Sequence, residues 1–270
     1  MIGAIIGDVV GSVYEFDNIK TKEFPLFSPR CTFTDDTVMT VAVASALLRS
    51  RTEDMAFPYL VTQEMHRFGR KYPHAGYGRR FYRWLRSKDP EPYYSLGNGS
   101  AMRVSPCGDL ASSLEEALSL AQASAEPTHD HPEGIKGAQA VAAAVYLART
   151  GRSKSEIREY IELNFYPLDF TLDSIRPAYS FNETCPGSVP QAIQAFLESD
   201  SFEDAIRGAV SIGGDSDTIA AIAGSIAWPY YACGGLSGGM VQAREQVKRT
   251  LPAEFIQVLE RFEEEVNPNG

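Results

Sequence analysis

The sequence predicts an all-α fold, and three observations carry that expectation. No run of residues alternates apolar and polar side chains at period two. Val38 to Leu48 is an Ala-rich apolar segment of helical length, and Ile219 to Tyr231 is a second, each opened by a turn of acids and hydroxyls. Gly3, Gly7 and Gly11 recur every four positions, which on a helix makes one flat stripe suited to close packing. With 270 residues, 44% of them hydrophobic, and no linker-like stretch, the chain reads as one domain spanning 1–270.

In chain order, Ile2 to Tyr14 is the first helix. Its β-branched Ile5, Ile6, Val9 and Val10 would suit a strand, but the glycine period favours a helix with Glu15 just beyond its end. Asp17 to Arg30, with Pro25 and Pro29, reads as a loop. Thr34 or Asp35 caps the helix that contains Val38 to Leu48. Phe57 to Tyr72 forms another helix, and Pro73 to Pro92, rich in Gly, Pro, Tyr and Arg, reads as a long loop. Gly97 to Arg103 is a turn into a further segment. Helices are expected at Leu114 to Ser124, Pro132 to Arg149 and Ser153 to Asn164. Phe165 to Pro190 reads as irregular, and helical periodicity resumes at Val189 to Ser199 and Phe202 to Val210. Gly239 to Thr250 and Pro252 to Val266 close the chain.

Charge and composition exclude several classes of function. A formal net charge of -10, with no Lys/Arg cluster to offset it, argues against nucleic acid as a partner. The apolar start Met1 to Gly11 lacks a basic beginning and is broken by Asp8, unlike a signal peptide. Thr218 to Leu236 is nearly long enough to cross a bilayer, but it is Ala/Gly-rich, follows directly on two acids, Asp215 and Asp217, and contains Pro229, which suits a buried core helix and no membrane. Cys31, Cys107, Cys185 and Cys233 are scattered and read as reduced, mostly buried thiols. The expectation is a cytoplasmic monomer.

The two acidic helix starts, Thr34-Asp35-Asp36-Thr37 and Gly213-Gly214-Asp215-Ser216-Asp217-Thr218, lie about 180 positions apart. Each taken alone is a helix cap that favours the positive end of the dipole. Taken together, Thr34, Asp35, Asp36, Asp215, Asp217 and Thr218 offer more oxygens than capping needs. Four carboxylates in one place would raise one another's pKa unless cations balance them, and two divalent ions would do so. An oxygen-only donor set points to Mg²⁺ or Mn²⁺ rather than Zn²⁺. The turn Gly97-Asn98-Gly99-Ser100 is either a simple tight turn or a backbone cradle for an anion. His129 either packs or lines a site, and Glu15 is either a solvated acid at a helix end or part of the same centre.

The series Gly7-Asp8-x-x-Gly11-Ser12-x-x-Glu15, Phe33-Thr34-Asp35-Asp36-Thr37, Gly97-Asn98-Gly99-Ser100-x-Met102-Arg103, Thr128-His129 and Gly213-Gly214-Asp215-Ser216-Asp217-Thr218 resembles the ADP-ribosylglycohydrolase family, which includes the dinitrogenase-reductase-activating glycohydrolases. The likeness runs from Ile2 to about Tyr231. It implies a compact, single-domain orthogonal bundle of helices with a binuclear Mg²⁺ or Mn²⁺ centre at the base of a cleft. It also implies cleavage at the anomeric carbon of the distal ribose, releasing ADP-ribose from an ADP-ribosylated substrate such as a protein.

By the same resemblance Thr34, Asp35, Asp36, Asp215, Asp217 and Thr218 are metal ligands, and Glu15 contacts the metal centre and moves as substrate enters. Gly97, Asn98, Gly99, Ser100 and Met102 form the loop that holds the diphosphate, and His129 lines the ADP-ribose site. Asp36 is the expected proton-transfer carboxylate, with Glu15 as gate or alternative base. Tyr72 to Tyr94 and Phe165 to Pro190 match no pattern of the family. Tyr77, Arg79, Arg80 and Tyr82 therefore either line the cleft mouth and select the leaving group or belong to a solvated loop. Two other functions compete: a non-catalytic ADP-ribose- or metal-binding module, and a Mg²⁺-dependent phosphohydrolase, which lacks the expected phosphate-facing basic residues.

Overall fold

The computed structural model describes residues 1–266. Among them every regular element is helical: α1 (Ile2–Gly11), α2 (Asp35–Ser50), α3 (Phe57–Lys71), α4 (Arg79–Arg86), α5 (Gly99–Met102), α6 (Ser105–Leu110), α7 (Leu114–Ala125), α8 (Pro132–Arg149), α9 (Lys154–Asn164), α10 (Leu172–Ile175), α11 (Cys185–Glu198), α12 (Phe202–Ser211), α13 (Ser216–Ala232), α14 (Gly238–Lys248) and α15 (Ala253–Val266). One isolated antiparallel bridge joins Gly97 to Thr184. No helix among the described residues is long and apolar enough to cross a membrane.

The glycine stripe of α1 is an interhelical contact. A Cβ on Gly7 would lie 2.0 Å from the Ala220 carbonyl oxygen, and one on Gly3 2.2 Å from that of Gly224. Only hydrogen fits between the α1 and α13 backbones, so these helices cross at closer range than side chains allow. All ten residues of α1 are buried, which makes it a central helix rather than a surface one. The crossing brings the end of α1, and Glu15 beyond it, against the start of α13.

A buried carboxylate fixes α2 to the same place. Asp8 of α1 accepts from the Thr34 amide at 2.9 Å, the Thr34 hydroxyl at 2.7 Å and the Thr37 amide at 3.1 Å, and also from the Thr37 hydroxyl. The two amides are donors that a helix N-terminus leaves without intrahelical partners. Thr34 also caps α2 by accepting from the Asp36 amide at 3.3 Å. The buried, Ala-rich α8 and the flanking α11 and α12 pack on α13, so both acidic turns sit at the edge of one contiguous apolar core.

The structure corrects four readings. The segment Pro73 to Pro92 contains α4, whose Phe81, Trp84 and Leu85 are buried at helical spacing; four arginines in eight residues mask that stripe. Phe165 to Pro190 contains α10, and α11 begins at Cys185, four residues before the expected start, with Pro186 in its first turn and Pro190 inside it. Gly97 to Arg103 is a short helix, α5, and α6 follows it. Only Cys107 and Cys185 are fully buried; Cys31 is partly exposed and Cys233 exposed, and all four are free thiols.

Candidate functional site

The residues of the two acidic turns meet around a cavity of about 620 Å³. Two glycines at positive φ, Gly213 (70°) and Gly214 (78°), turn the chain sharply into α13. The Asn18 side chain holds this turn, accepting from the Gly214 amide at 2.7 Å and donating to its carbonyl at 3.0 Å. Asp215 and Asp217 thereby face the cavity from one side, and Asp35 and Asp36 from α2 face it from the other.

Glu15, Asp215 and Asp217 come together most tightly, each with a carboxylate oxygen within 4.8 Å of the others. Asp36 lies beside them, its Oδ2 accepting from the Thr218 hydroxyl at 3.2 Å. Its Oδ1 is buried and has no hydrogen-bond partner. Asp35, Asp36 and Thr218 line the cavity. Thr34 is not among the lining residues; its hydroxyl donates to Asp8 and caps α2.

Burial and mutual repulsion hold these acids far from their ordinary state. Desolvation, then Asp215 and Asp8, push Glu15 up to about 7. Desolvation, then Asp8 and Asp215, push Asp35 up to about 8. Asp36 and Asp217 are raised well above the usual carboxylate range, first by burial, then by each other's neighbourhood of acids. Burial raises Asp215 as well, against a hydrogen bond from Asn98. Asp8 is raised by burial against the donors of α2. No Lys or Arg forms an ion pair with any of these six among the described residues. Clustered acids with no protein cation, one carrying an orphaned buried oxygen, fit a hard divalent ion bound through oxygen.

The rest of the cavity wall has another character. Arg79, Arg80, Arg103, Tyr77, Tyr93 and His129 line it, together with the turn at Gly97 to Gly99. Tyr77, Arg79 and Arg80 thus belong to the cavity wall, whereas Tyr82 does not line it and its hydroxyl accepts from Arg86 at 3.2 Å. Tyr94 takes the left-handed conformation (φ 53°) at the rim, where its amide donates to Asp130 Oδ1 at 2.6 Å.

The glycine-rich turn is more committed than an open cradle. The Gly97 amide donates to Ser95 Oγ at 3.1 Å and the Asn98 amide to the Glu183 carbonyl at 2.8 Å. The buried Ser100 hydroxyl donates to the Gly134 carbonyl at 2.7 Å. Among the described residues only the Gly99 and Ser100 amides of this turn lack a protein acceptor. The Asn98 side chain donates to Asp215 Oδ2 at 2.7 Å and to Ser188 Oγ at 3.0 Å. Met102 lines the cavity, with its sulfur 4.0 Å from the Thr218 hydroxyl.

Two residues of this site carry no signal read from the sequence as functional. Asp8 is an acid inside an otherwise apolar helix, and that anomaly is the available signal. Arg103 is a fully buried cation at the end of a motif that reads as a turn.

These features define a class: an all-α protein with an oxygen-only acidic centre and hydrogen-bond donors lining one cavity. Comparison with known proteins makes the class specific. The sequence pattern of the ADP-ribosylglycohydrolase family matches residues 1–267. The chain is 29% identical to the ADP-ribosylhydrolase ARH3 of Mus musculus over 310 residues, covering 86% of this chain and 82% of that one. It is 26% identical to the ADP-ribosylarginine hydrolase Tri1 of Pseudomonas putida over 274 residues, covering 87% and 70%. A solved structure described as an ADP-ribosylglycohydrolase-related protein complex superposes with a TM-score of 0.68 at 25% identity, covering 97% of this chain and 96% of that one. The chain belongs to the ADP-ribosylglycohydrolase family and is a glycosidic-bond hydrolase.

Proposed function

We propose that the protein hydrolyses the bond at the anomeric carbon of the distal ribose in an ADP-ribosylated protein side chain, releasing ADP-ribose, with two Mg²⁺ or Mn²⁺ ions held at the acidic centre. The observation that carries this reading is the polarity of the cavity. The carboxylates of Glu15, Asp35, Asp36, Asp215 and Asp217 line the same cavity as His129, three arginines and the glycine-rich turn with its free amides. A ligand with a diphosphate and a terminal sugar matches both kinds of lining, since anions favour N–H donors and positive charge and sugar hydroxyls suit an acidic, cation-binding centre.

Divalent ions, when bound, would supply the positive charge that lets the acids ionise together and the Lewis acidity that holds hydroxyl oxygens and water. Asp35, Asp36, Asp215, Asp217 and Thr218 would hold them, with Glu15 beside Asp215 and Asp217. Thr34 would take part through the lone pair left after it donates to Asp8 and accepts from the Asp36 amide. The Gly99 and Ser100 amides would receive the diphosphate. Asn98 orients Asp215 through the hydrogen bond to its Oδ2.

Proton transfer needs a carboxylate that substrate can reach. Glu15 is only half-buried, whereas Asp36 is buried, with one oxygen accepting from the Thr218 hydroxyl. That position favours Glu15 as the proton-transfer group and Asp36 as a cation ligand, the reverse of the order suggested by the sequence. The test is incubation with Mg²⁺ or Mn²⁺ and substrates carrying ADP-ribose on arginine, on serine or on a nucleobase, with products identified by mass. Free ADP-ribose is expected. Release of AMP or inorganic phosphate instead, or no product from any substrate, would overturn the reading.

A further inference from the structure

The cavity wall contains a cation that the acidic centre does not use. Arg103 is 1% exposed and forms no ion pair among the described residues. Its Nη2 donates to the Ser124 carbonyl at 2.7 Å and to Thr128 Oγ1 at 2.9 Å, and its Nε has no partner. Thr128 Oγ1 in turn lies 2.7 Å from His129 Nδ1.

The chemistry of the guanidinium fixes the direction of the first of these bonds, and the distances favour one direction for the second. A guanidinium has donors only, so Thr128 Oγ1 accepts from Arg103. The hydroxyl has a single hydrogen to place. One direction is the Ala125 carbonyl at 3.5 Å, and the other is His129 Nδ1 at 2.7 Å. The second is a good hydrogen bond and the first is at the limit of one. If the hydroxyl donates to Nδ1, the ring hydrogen of a neutral imidazole is on Nε2.

We propose that Arg103 and Thr128 form a buried relay that fixes His129 as the neutral Nε2–H tautomer, so that the imidazole offers a hydrogen-bond donor to the anionic part of the substrate beside the glycine-rich turn. The Nε2 edge faces that turn: a Cβ on Gly99 would lie 3.2 Å from Nε2, and one on Gly97 3.5 Å. No protein acceptor engages Nε2 among the described residues, and the ring lines the cavity. Burial, then the positive charge of Arg103 and Arg80, holds His129 well below its ordinary value, which keeps it neutral. Arg103 and Thr128 are positioning residues that act through His129. The ligand half of this proposal rests on reading the cavity as the ADP-ribose site; the tautomer does not.

Four histidines make ¹⁵N NMR of the imidazole nitrogens tractable. In the ligand-free parent at neutral pH, His129 should show an acceptor-type Nδ1 and a protonated Nε2, and ADP-ribose should shift the Nε2 resonance. Thr128→Val should shift the population toward Nδ1–H and weaken ADP-ribose binding about tenfold, as for loss of one hydrogen bond to a charged group. Thr128→Ser, which keeps the hydroxyl, should restore both. An Nδ1–H or doubly protonated His129 in the parent overturns the relay, as does a Thr128→Val protein with parental spectrum and affinity. If Thr128→Val does not fold, the parent spectrum and Thr128→Ser decide the matter. Failure of the parent to bind ADP-ribose would instead sink the functional reading, and the ligand-free spectrum would still decide the tautomer.

Discussion

The side-chain amide of Asn98 donates to Asp215 Oδ2 at 2.7 Å and spends its other hydrogen on Ser188 Oγ. The glycine-rich turn and the acidic turn are therefore one unit, joined across 117 residues of sequence. A hydrogen bond to the ionised form opposes the effect of burial on Asp215. Asn98→Ala should lower divalent-cation affinity and kcat/KM by about 10- to 100-fold, the usual cost of losing a group that orients a metal ligand. Calorimetric titration with Mn²⁺ and steady-state kinetics measure this; parental values in both would refute the coupling.

Asp8 is expected to matter for stability as much as for the site. Asp8→Ala strands four donors of Thr34 and Thr37 at the start of α2. It also removes a charge that repels Glu15 and Asp35, which offsets part of the loss. The donors should win, because each unsatisfied buried group costs about 1–3 kcal/mol. Denaturant unfolding should show a net loss of about 3 kcal/mol; no loss would mean that α2 docks without this anchor.

Gly7→Ala tests the contact that brings the two acidic turns together. The added methyl would lie 2.0 Å from the backbone oxygen of Ala220, which has no flexible end to move. Overpacking of this kind costs roughly 1–3 kcal/mol, and displacement of Glu15 from Asp217 should lower turnover further, by about 10²-fold for an ångström of misplacement. Gly238→Ala is the control: nothing lies within 4 Å of its Cβ, so the melting temperature and activity should be unchanged or the former slightly raised. Equal behaviour of the two variants would refute the tight crossing.

The contrast between these glycines shows what the sequence could reveal. The four-residue period of Gly3, Gly7 and Gly11 is local, so a helix and its packing face are legible without knowing the partner helix. The two acidic turns are legible for the same reason, and their doubling points to one centre. Long-range commitments are not legible. Nothing local says that the Ser100 hydroxyl is spent on Gly134, that Asn98 braces Asp215, or that Glu15 closes against Asp215 and Asp217. The helix α4 is hidden because its arginines dominate its eight residues, although Phe81, Trp84 and Leu85 carry the apolar spacing. Residues 185–188 of α11 are hidden by Pro186 and Pro190, which read as breakers although a proline in the first turn is well tolerated.

Stability should depend on pH in a definite direction when divalent cations are removed. Burial and neighbouring acids raise Glu15 from 4.5 to about 7 and Asp35 from 3.8 to about 8. The folded state then binds more protons than the unfolded state between about pH 4 and 8, so stability falls as pH rises through that window. The chelated protein should melt higher at pH 5.5 than at pH 8, at roughly 2–4 °C per kcal/mol for a domain of this size. Mg²⁺ or Mn²⁺ should abolish or reverse the difference, since a bound cation favours the ionised acids. A chelated protein that gains stability from pH 5.5 to pH 8 would contradict the clustering of these carboxylates.

Glu15→Gln and Asp36→Asn should fail in different ways. Each removes one negative charge from the same centre at nearly constant volume, so a purely electrostatic role predicts similar losses. Their positions differ, however. Glu15 is half-buried beside Asp215 and Asp217; Asp36 is buried, bonded to Thr218 through Oδ2 and left with a bare Oδ1. Glu15→Gln should therefore lower kcat by about 10²–10⁴-fold, the usual contribution of a general acid or base, and leave ADP-ribose affinity within a few-fold. Asp36→Asn should chiefly raise the Mn²⁺ concentration needed for half-maximal activity, with much of kcat recovered at saturating cation. The measurement is kcat against Mn²⁺ concentration for both variants. If Asp36→Asn stays inactive at saturating Mn²⁺ while Glu15→Gln turns over like the parent, the proton-transfer role passes to Asp36, and Glu15 is left as a mobile neighbour of the centre.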